Sequence, residues 1–292
     1  MENNSFRSYL SILIVIIIGA LVALAGSQGS ITLGGFPLYA FAVILAFVVQ
    51  WVVFLPSYLN RTEKFFDLTG SLTYISVTAL SFLLNPLKDF RSIALLVMVT
   101  IWALRLGLFL FNRIQAAGED RRFRELKTSF PRFLNTWTLQ GLWVTFSLAA
   151  ALAVITSETR VGFDAFAAAG IIIWIIGFTI EVVADRQKRA FKTDPVNEGK
   201  FISTGLWSWS RHPNYFGEIV LWVGIAVIAL PVLSGWGWVT LISPIFITIL
   251  LTRISGVPML EKRADEKWGG NSDYEEYKNN TPVLIPLPPK RG

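Results

Sequence analysis

Residues 37–59 read PLYAFAVILAFVVQWVVFLPSYL, a stretch without a single charged side chain. About 20 mostly apolar residues suffice for a helix to cross the hydrocarbon core of a bilayer. A soluble domain has no interior large enough to hide many such runs from water. Seven more runs of this kind flank it: Leu10–Gly26, Asp67–Leu84, Ile93–Phe111, Trp137–Ile155, Asp164–Ala184, Tyr215–Leu233 and Trp236–Ile254. The last two are separated only by Ser234 and Gly235, so their division is the weakest boundary. The expected fold is all-α, a polytopic integral membrane bundle of seven to eight transmembrane helices.

Composition agrees. Over 292 residues the apolar fraction is 53% and the charged fraction 16%, against roughly 25% charged in soluble domains. The absence of cysteine excludes a disulfide-stapled fold and cysteine-ligated metal. A single histidine excludes a multi-histidine metal site. With the N-terminus in the cytoplasm, 22 of the 26 basic residues fall in cytoplasmic segments and three, Lys88, Arg91 and Arg160, in external loops. The positive-inside rule therefore puts both termini in the cytoplasm. The net charge of +6 is explained by topology, and no basic soluble face or arm points to nucleic acid. Arg7 ahead of the first run and Ala23-Leu24-Ala25 near its end have the pattern of a cleaved signal. The length of the run and its weakly basic start favour retention as a helix. Residues 1–260 are expected to form the bundle, with cytoplasmic loops at 112–136 and 185–215, and residues 261–292 a polar cytoplasmic tail. The glycines at Gly26, Gly29, Gly34 and Gly35 fall in an external turn rather than between a strand and a helix, so they are no dinucleotide fingerprint.

The segment from Glu181 to Glu218 is richest in chemistry. Glu181 and Asp185 share one helix face at the cytoplasmic end of the sixth run. Arg186-Gln187-Lys188-Arg189, Lys192 and Lys200 follow, and Arg211-His212-Pro213-Asn214-Tyr215-Phe216-Gly217-Glu218 opens the seventh. Pro213 suits a first helical turn, whose free N–H groups, flanked by Arg211 and His212, make an anion site. Asn214 and Glu218 face the same way one turn apart, and Tyr215 adds a ring and a hydroxyl. An acid continuing into an apolar run is costly unless it faces a cavity or a partner. A phosphorylated or carboxylate-bearing cofactor entering from the cytoplasm would suit this arrangement. Asp67 is either a first-turn helix acid or a carboxyl group in an apolar cavity. Arg105, inside the fourth run, is expected to reach a cavity or pair with an acid, and Asp67, Glu181, Asp185 and Glu218 all qualify as that partner.

The stretch Gly205-Leu206-Trp207-Ser208-Trp209-Ser210-Arg211-His212-Pro213-Asn214-Tyr215-Phe216-Gly217-Glu218 resembles the steroid 5-alpha-reductase-like membrane superfamily, in its bacterial DUF1295 branch. The resemblance extends from about Asp67 through Trp102-Ala103-Leu104-Arg105-Leu106, Gly118-Glu119-Asp120-Arg121-Arg122-Phe123, Asp185-Arg186-Gln187 and Arg253. It implies an NADPH-dependent reductase of a carbon–carbon double bond conjugated to a ketone, in the bacterial inner membrane, with the cofactor site facing the cytoplasm. The substrate implied is a steroid or another lipid-like small molecule entering from the bilayer; a monomer is plausible. The implied cofactor residues are Arg105, Asn112, Arg113, Asp120, Arg122, Asp185, Lys192, Lys200, Arg211, His212, Asn214, Tyr215, Glu218 and Arg253. Asp67 takes the place of the family Glu that polarises the substrate ketone. The Tyr that partners this Glu is replaced by Trp102 or Ile101, which weakens the case for a steroid more than for the cofactor. Isoprenylcysteine carboxyl methyltransferases carry a similar Arg-His-Pro-Asn-Tyr segment, so an S-adenosylmethionine-dependent membrane methyltransferase is the alternative. A non-enzymatic transporter or scaffold would require unwound mid-span segments, and the lone glycines Gly177 and Gly224 do not supply them.

Overall fold

The computed structural model describes residues 2–117 and 120–289, without the side chains of residues 2–4, 112–117 and 121. Among the described residues, eight helical segments are long and apolar enough to cross a membrane. The protein is an integral membrane helical bundle. The chain divides into two compact units: residues up to Ala165 with Ala229–Ser243, and Phe166–Ile228 with the chain from Pro244.

The first unit contains α1 (Glu2–Gly26), α2 (Leu38–Leu59), α3 (Phe66–Leu84), α4 (Phe90–Ala117) and α5 (Phe130–Thr156). Helix α5 is the core element and packs against α1, α2, α3 and α4. Its run Leu148-Ala149-Ala150-Ala151-Leu152 is fully buried, because small side chains let neighbouring helices approach. Toward its start, Phe133 and Trp137 join Phe54 and Phe123 in an aromatic cluster. Between α1 and α2, strands β1 (Thr32–Leu33) and β2 (Phe36–Pro37) form a minimal hairpin. Its turn residues Gly34 and Gly35 have φ of 57° and 85°, the sign a two-residue hairpin turn requires. The same end of the unit buries charge, near the segment after α5 that also bonds the hairpin region. Arg91 is inaccessible to solvent, pairs with Asp164 at 2.5 Å and donates to the carbonyl of Val161.

The second unit contains α6 (Ala165–Thr193), α7 (Pro213–Ala229), most of α8 (Ile242–Ile249), α9 (Val257–Trp268) and α10 (Ser272–Asn280). Helices α6 and α7 cross where glycines face one another. A Cβ on Gly170 would lie 2.6 Å from the carbonyl oxygen of Gly224, and one on Gly177 would lie 2.6 Å from that of Gly217. These glycines therefore set a close helix crossing. The eighth run is not one regular helix. It passes from a 3-10 segment (Gly235–Leu241) through α8 to a π-helical turn (Leu250–Ile254) that carries Arg253. The sequence-based division at residue 260 falls inside α9, and the tail folds into helices rather than a linker. Pro258 fits the first turn of α9, and Asn271 caps α10 by accepting from the N–H groups of Asp273 and Tyr274.

Candidate functional site

The last turns of α6, the loop that follows, the start of α7 and the two C-terminal helices enclose a cavity of about 600 Å³. The loop is shaped locally. Asp194 caps the short turn Pro195–Asn197 by accepting from Val196 N–H at 3.0 Å. Gly199 and Gly205 take φ of 78° and 62°. The side chain of Gln187 accepts from Leu206 N–H at 2.9 Å, and the buried indole of Trp207 donates to the Ala184 carbonyl at 3.0 Å. These two bonds pin the loop back onto α6. The ammonium of Lys188 then lies 4.3 Å from the Trp207 ring centroid, within cation–π range.

The opposite wall comes from the tail. Phe201 packs against Tyr274 and Tyr277, each at 5.4 Å between ring centroids, and against Trp268 at 6.0 Å. Trp268 donates its indole N–H to the Gly199 carbonyl at 2.6 Å, and the Tyr277 hydroxyl donates to the Trp207 carbonyl at 2.7 Å. Burial pushes the Tyr277 phenol upward, so it remains a donor. Past α10 the chain runs alongside residues 209–211. Arg211 N–H donates to the Pro282 carbonyl and Leu287 N–H to that of Trp209, both at 2.9 Å.

The wall of the cavity is strongly cationic. Lys188, Lys192, Lys200, Arg211, Arg263 and Lys267 line it, against the acids Glu198 and Glu261. Glu261 is already engaged: its carboxylate accepts from His212 Nε2 at 2.7 Å and pairs with Arg211 at 3.0 Å. Arg211 also donates to the Lys278 carbonyl at 3.1 Å. His212 is buried, its ring stacks on Tyr215 with centroids 5.6 Å apart, and its Nδ1 has no hydrogen-bond partner. Burial lowers the His212 pKa from its ordinary value, and the bond to Glu261 opposes that only in part. Both the burial and the ordinary value below 7 favour the neutral imidazole at pH 7. A carboxylate only accepts, so Nε2 carries the proton and Nδ1 keeps its lone pair.

Of the residues singled out in the sequence, Lys192, Lys200, Arg211 and His212 come together on this wall. Asp185, Asn214, Tyr215 and Glu218 do not join it; they are half-buried along α6 and α7. The Asn214 carbonyl oxygen is buried without a partner. Arg253 is exposed on the π-helical turn. The remaining candidates belong to the first unit. Asp67 is half-buried in the first turn of α3, and Arg105 is half-buried on α4. Asp120 and Arg122 pair with one another, with Arg122 Nε donating to the two carboxylate oxygens at 3.0 and 2.9 Å. The side chains of Asn112 and Arg113 lie outside the described residues. Trp102 is buried edge-on against Tyr74, centroids 5.0 Å apart, so a tyrosine of α3 stands beside it. Lys188, named in the sequence only within a basic run, joins the cavity wall, whereas sequence reasoning passed over Arg263, Lys267 and the aromatic wall. The spacing of Tyr274 and Tyr277 on one helical face was the available signal.

The family model described as "Protein of unknown function (DUF1295)" matches residues 51–281. Among curated proteins, the chain is 30% identical over 119 residues to the steroid 5-alpha-reductase DET2 of Gossypium hirsutum, covering 41% of each chain. It is 26% identical over 119 residues to 3-oxo-5-alpha-steroid 4-dehydrogenase 1 of Rattus norvegicus, covering 40% of each. It is also 37% identical over 62 residues to the "Probable O-methyltransferase ustE" of Ustilaginoidea virens, covering 21% of this chain and 22% of that one. The matches thus span about two fifths of the reductases and about a fifth of the methyltransferase. No solved structure matches. With most of its length matched by one family model, the chain belongs to the DUF1295 family.

Proposed function

We propose that this protein is an NADPH-dependent membrane reductase of a carbon–carbon double bond conjugated to a ketone, acting on a steroid or other lipid-like enone that enters from the bilayer. The observation that carries the proposal is the cationic cavity: six basic side chains line it, with Glu261 already paired and Glu198 the other acid of the lining. That excess suits a cofactor with several phosphate charges better than S-adenosylmethionine, whose sulfonium and ammonium groups leave it net positive. A volume of about 600 Å³ lies within the range of small-molecule and cofactor sites. The unmet Nδ1 of His212 is an acceptor that a nucleotide's hydroxyl, amino or carboxamide donors would satisfy.

In this reading Lys188, Lys192, Lys200, Arg263 and Lys267 hold the phosphates, and Trp207 supports Lys188. When bound there, NADPH would supply hydride to the beta carbon of the enone and leave as NADP+, and a proton taken from water at the alpha carbon would complete the reduction. Asp67, as the protonated acid, hydrogen-bonds the ketone oxygen and stabilises the negative charge that develops there. In this reading the protein lies in the bacterial inner membrane with the cavity facing the cytoplasm, an orientation that the positive-inside count supports. The experiment is NADPH oxidation by the purified protein against a panel of lipid enones, with Asp67→Asn beside the wild type. The expected result is turnover that falls at least tenfold in the variant while NADPH affinity holds. Wild-type turnover in D67N refutes the role of Asp67. The similarity to an O-methyltransferase favours methyl transfer from S-adenosylmethionine as a second reading; methylation of a lipid acceptor without NADPH oxidation would establish it.

A further inference from the structure

The sole histidine of the chain sits where the cavity wall meets the start of α7, and a residue 49 positions later fixes its chemistry. We propose that Glu261 is the positioning residue of the cavity: from α9 it holds His212 as the Nε2–H tautomer, occupies Arg211, and so leaves Nδ1 as an acceptor for an N–H or O–H donor of a bound nucleotide. Each part follows from bonds already described. One carboxylate oxygen of Glu261 meets His212 Nε2 at 2.7 Å, and the other meets the Arg211 guanidinium at 3.0 Å. Ser210 Oγ accepts from the His212 backbone N–H at 3.1 Å and itself donates to the Leu284 carbonyl at 2.8 Å, so the tail braces the ring's backbone too. Tyr215 covers one face of the ring. What remains is Nδ1, buried and unpartnered in a side chain that is 4% exposed. A buried polar atom in this condition requires a donor. Phosphate oxygens cannot provide one, because at neutral pH they only accept. The sugar hydroxyls, ring amines and carboxamide of a nucleotide can. The division of labour is therefore specific: lysines and Arg263 for the phosphate charge, His212 for a neutral donor, and Arg211 for holding Glu261.

The ligand half of this proposal rests on the nucleotide reading of the cavity; the Glu261 half does not. Because the chain has one histidine, selective ¹⁵N-histidine labelling gives a single-residue spectrum. In detergent-solubilised wild-type protein at pH 7.5, the expected signals are a protonated Nε2 and an unprotonated Nδ1. Saturating NADPH is expected to shift the Nδ1 signal, and inorganic phosphate is not. Glu261→Gln replaces one acceptor oxygen by a donor amide. With its remaining oxygen turned to Arg211, the amide donates to Nε2, and the proton moves to Nδ1. The same variant is expected to weaken NADPH binding about two- to twelvefold, the scale of one lost hydrogen bond between neutral groups. Glu261→Asp, which keeps an acceptor, is expected to retain the wild-type tautomer. An imidazolium spectrum at pH 7.5, or an unchanged tautomer in folded E261Q, overturns the role of Glu261. Should E261Q fail to purify, the wild-type spectrum still decides the tautomer. NADPH binding that leaves Nδ1 unmoved overturns the acceptor role alone. Absence of NADPH binding with the expected wild-type tautomer overturns the nucleotide half and leaves the Glu261 lock standing.

Discussion

Lys188 and Lys192 lie one turn apart on α6 and line the same cavity, yet they are expected to matter differently. Lys188 is half-buried over Trp207, whereas Lys192 is exposed at the rim. A hydrogen bond to a charged group in a sheltered position contributes about 1.5–3 kcal/mol, or roughly ten- to hundredfold in Kd. An exposed ion pair contributes about 0.2–1 kcal/mol, at most roughly fivefold, and fades as salt shortens the Debye length. The variants are Lys188→Gln and Lys192→Gln, and the assay is calorimetric titration of NADPH at about 0.05 and 0.5 M salt. K188Q should raise Kd at least tenfold at both salt concentrations. K192Q should raise it a few-fold at low salt and little at high salt. Thermal midpoints without NADPH provide the control, because K188Q also gives up a cation–π contact worth about 1 kcal/mol to the fold. Equal losses in the two variants, or NADPH binding unaffected by either, would refute the division into sheltered and rim charges.

Gly177→Ala puts a Cβ 2.4 Å from the backbone nitrogen of Leu221, where no side-chain rotation relieves the clash. The expected cost is about 1–3 kcal/mol, read as a lower unfolding midpoint in detergent; a neutral G177A would mean that α6 and α7 do not cross so closely. Arg91→Ala strands the carboxylate of Asp164 and the carbonyl of Val161, and should destabilise by about 3 kcal/mol in the same assay. Stability should also depend on pH through His212. Its folded pKa is lowered from about 6.5, so below pH 6.5 the unfolded chain takes up a proton that the folded chain resists. The contribution is complete above pH 6.5 and is lost as pH falls through the folded pKa, at up to about 1.4 kcal/mol per pH unit. His212→Gln should flatten the midpoint between pH 7.5 and 5.5; an unaltered slope would show that the imidazole is not held neutral.

The bundle was legible because each run of apolar residues is long enough to cross a bilayer. The interruption of the eighth run was not, since Gly235–Leu241 keeps an apolar composition while its backbone takes a 3-10 path. The tail misled for the opposite reason. Val257–Trp268 is polar on average, and its helix gains from packing around Phe201 that no local pattern announces. Half of the site was readable from the segment 188–212, which is contiguous in sequence. The other half, Glu261, Arg263, Lys267 and Tyr277, arrives through tertiary folding. For that reason the sequence shows Arg211 and His212 flanking a helix start but not Glu261, which engages both.

The central claim is the identity of the cofactor. Calorimetric titration of the detergent-purified wild-type protein with NADPH, NADH and S-adenosylmethionine tests it most directly. The account predicts that NADPH binds, that NADH binds more weakly for want of one phosphate group, and that S-adenosylmethionine gives no heat of binding. Binding of S-adenosylmethionine without NADPH would contradict it.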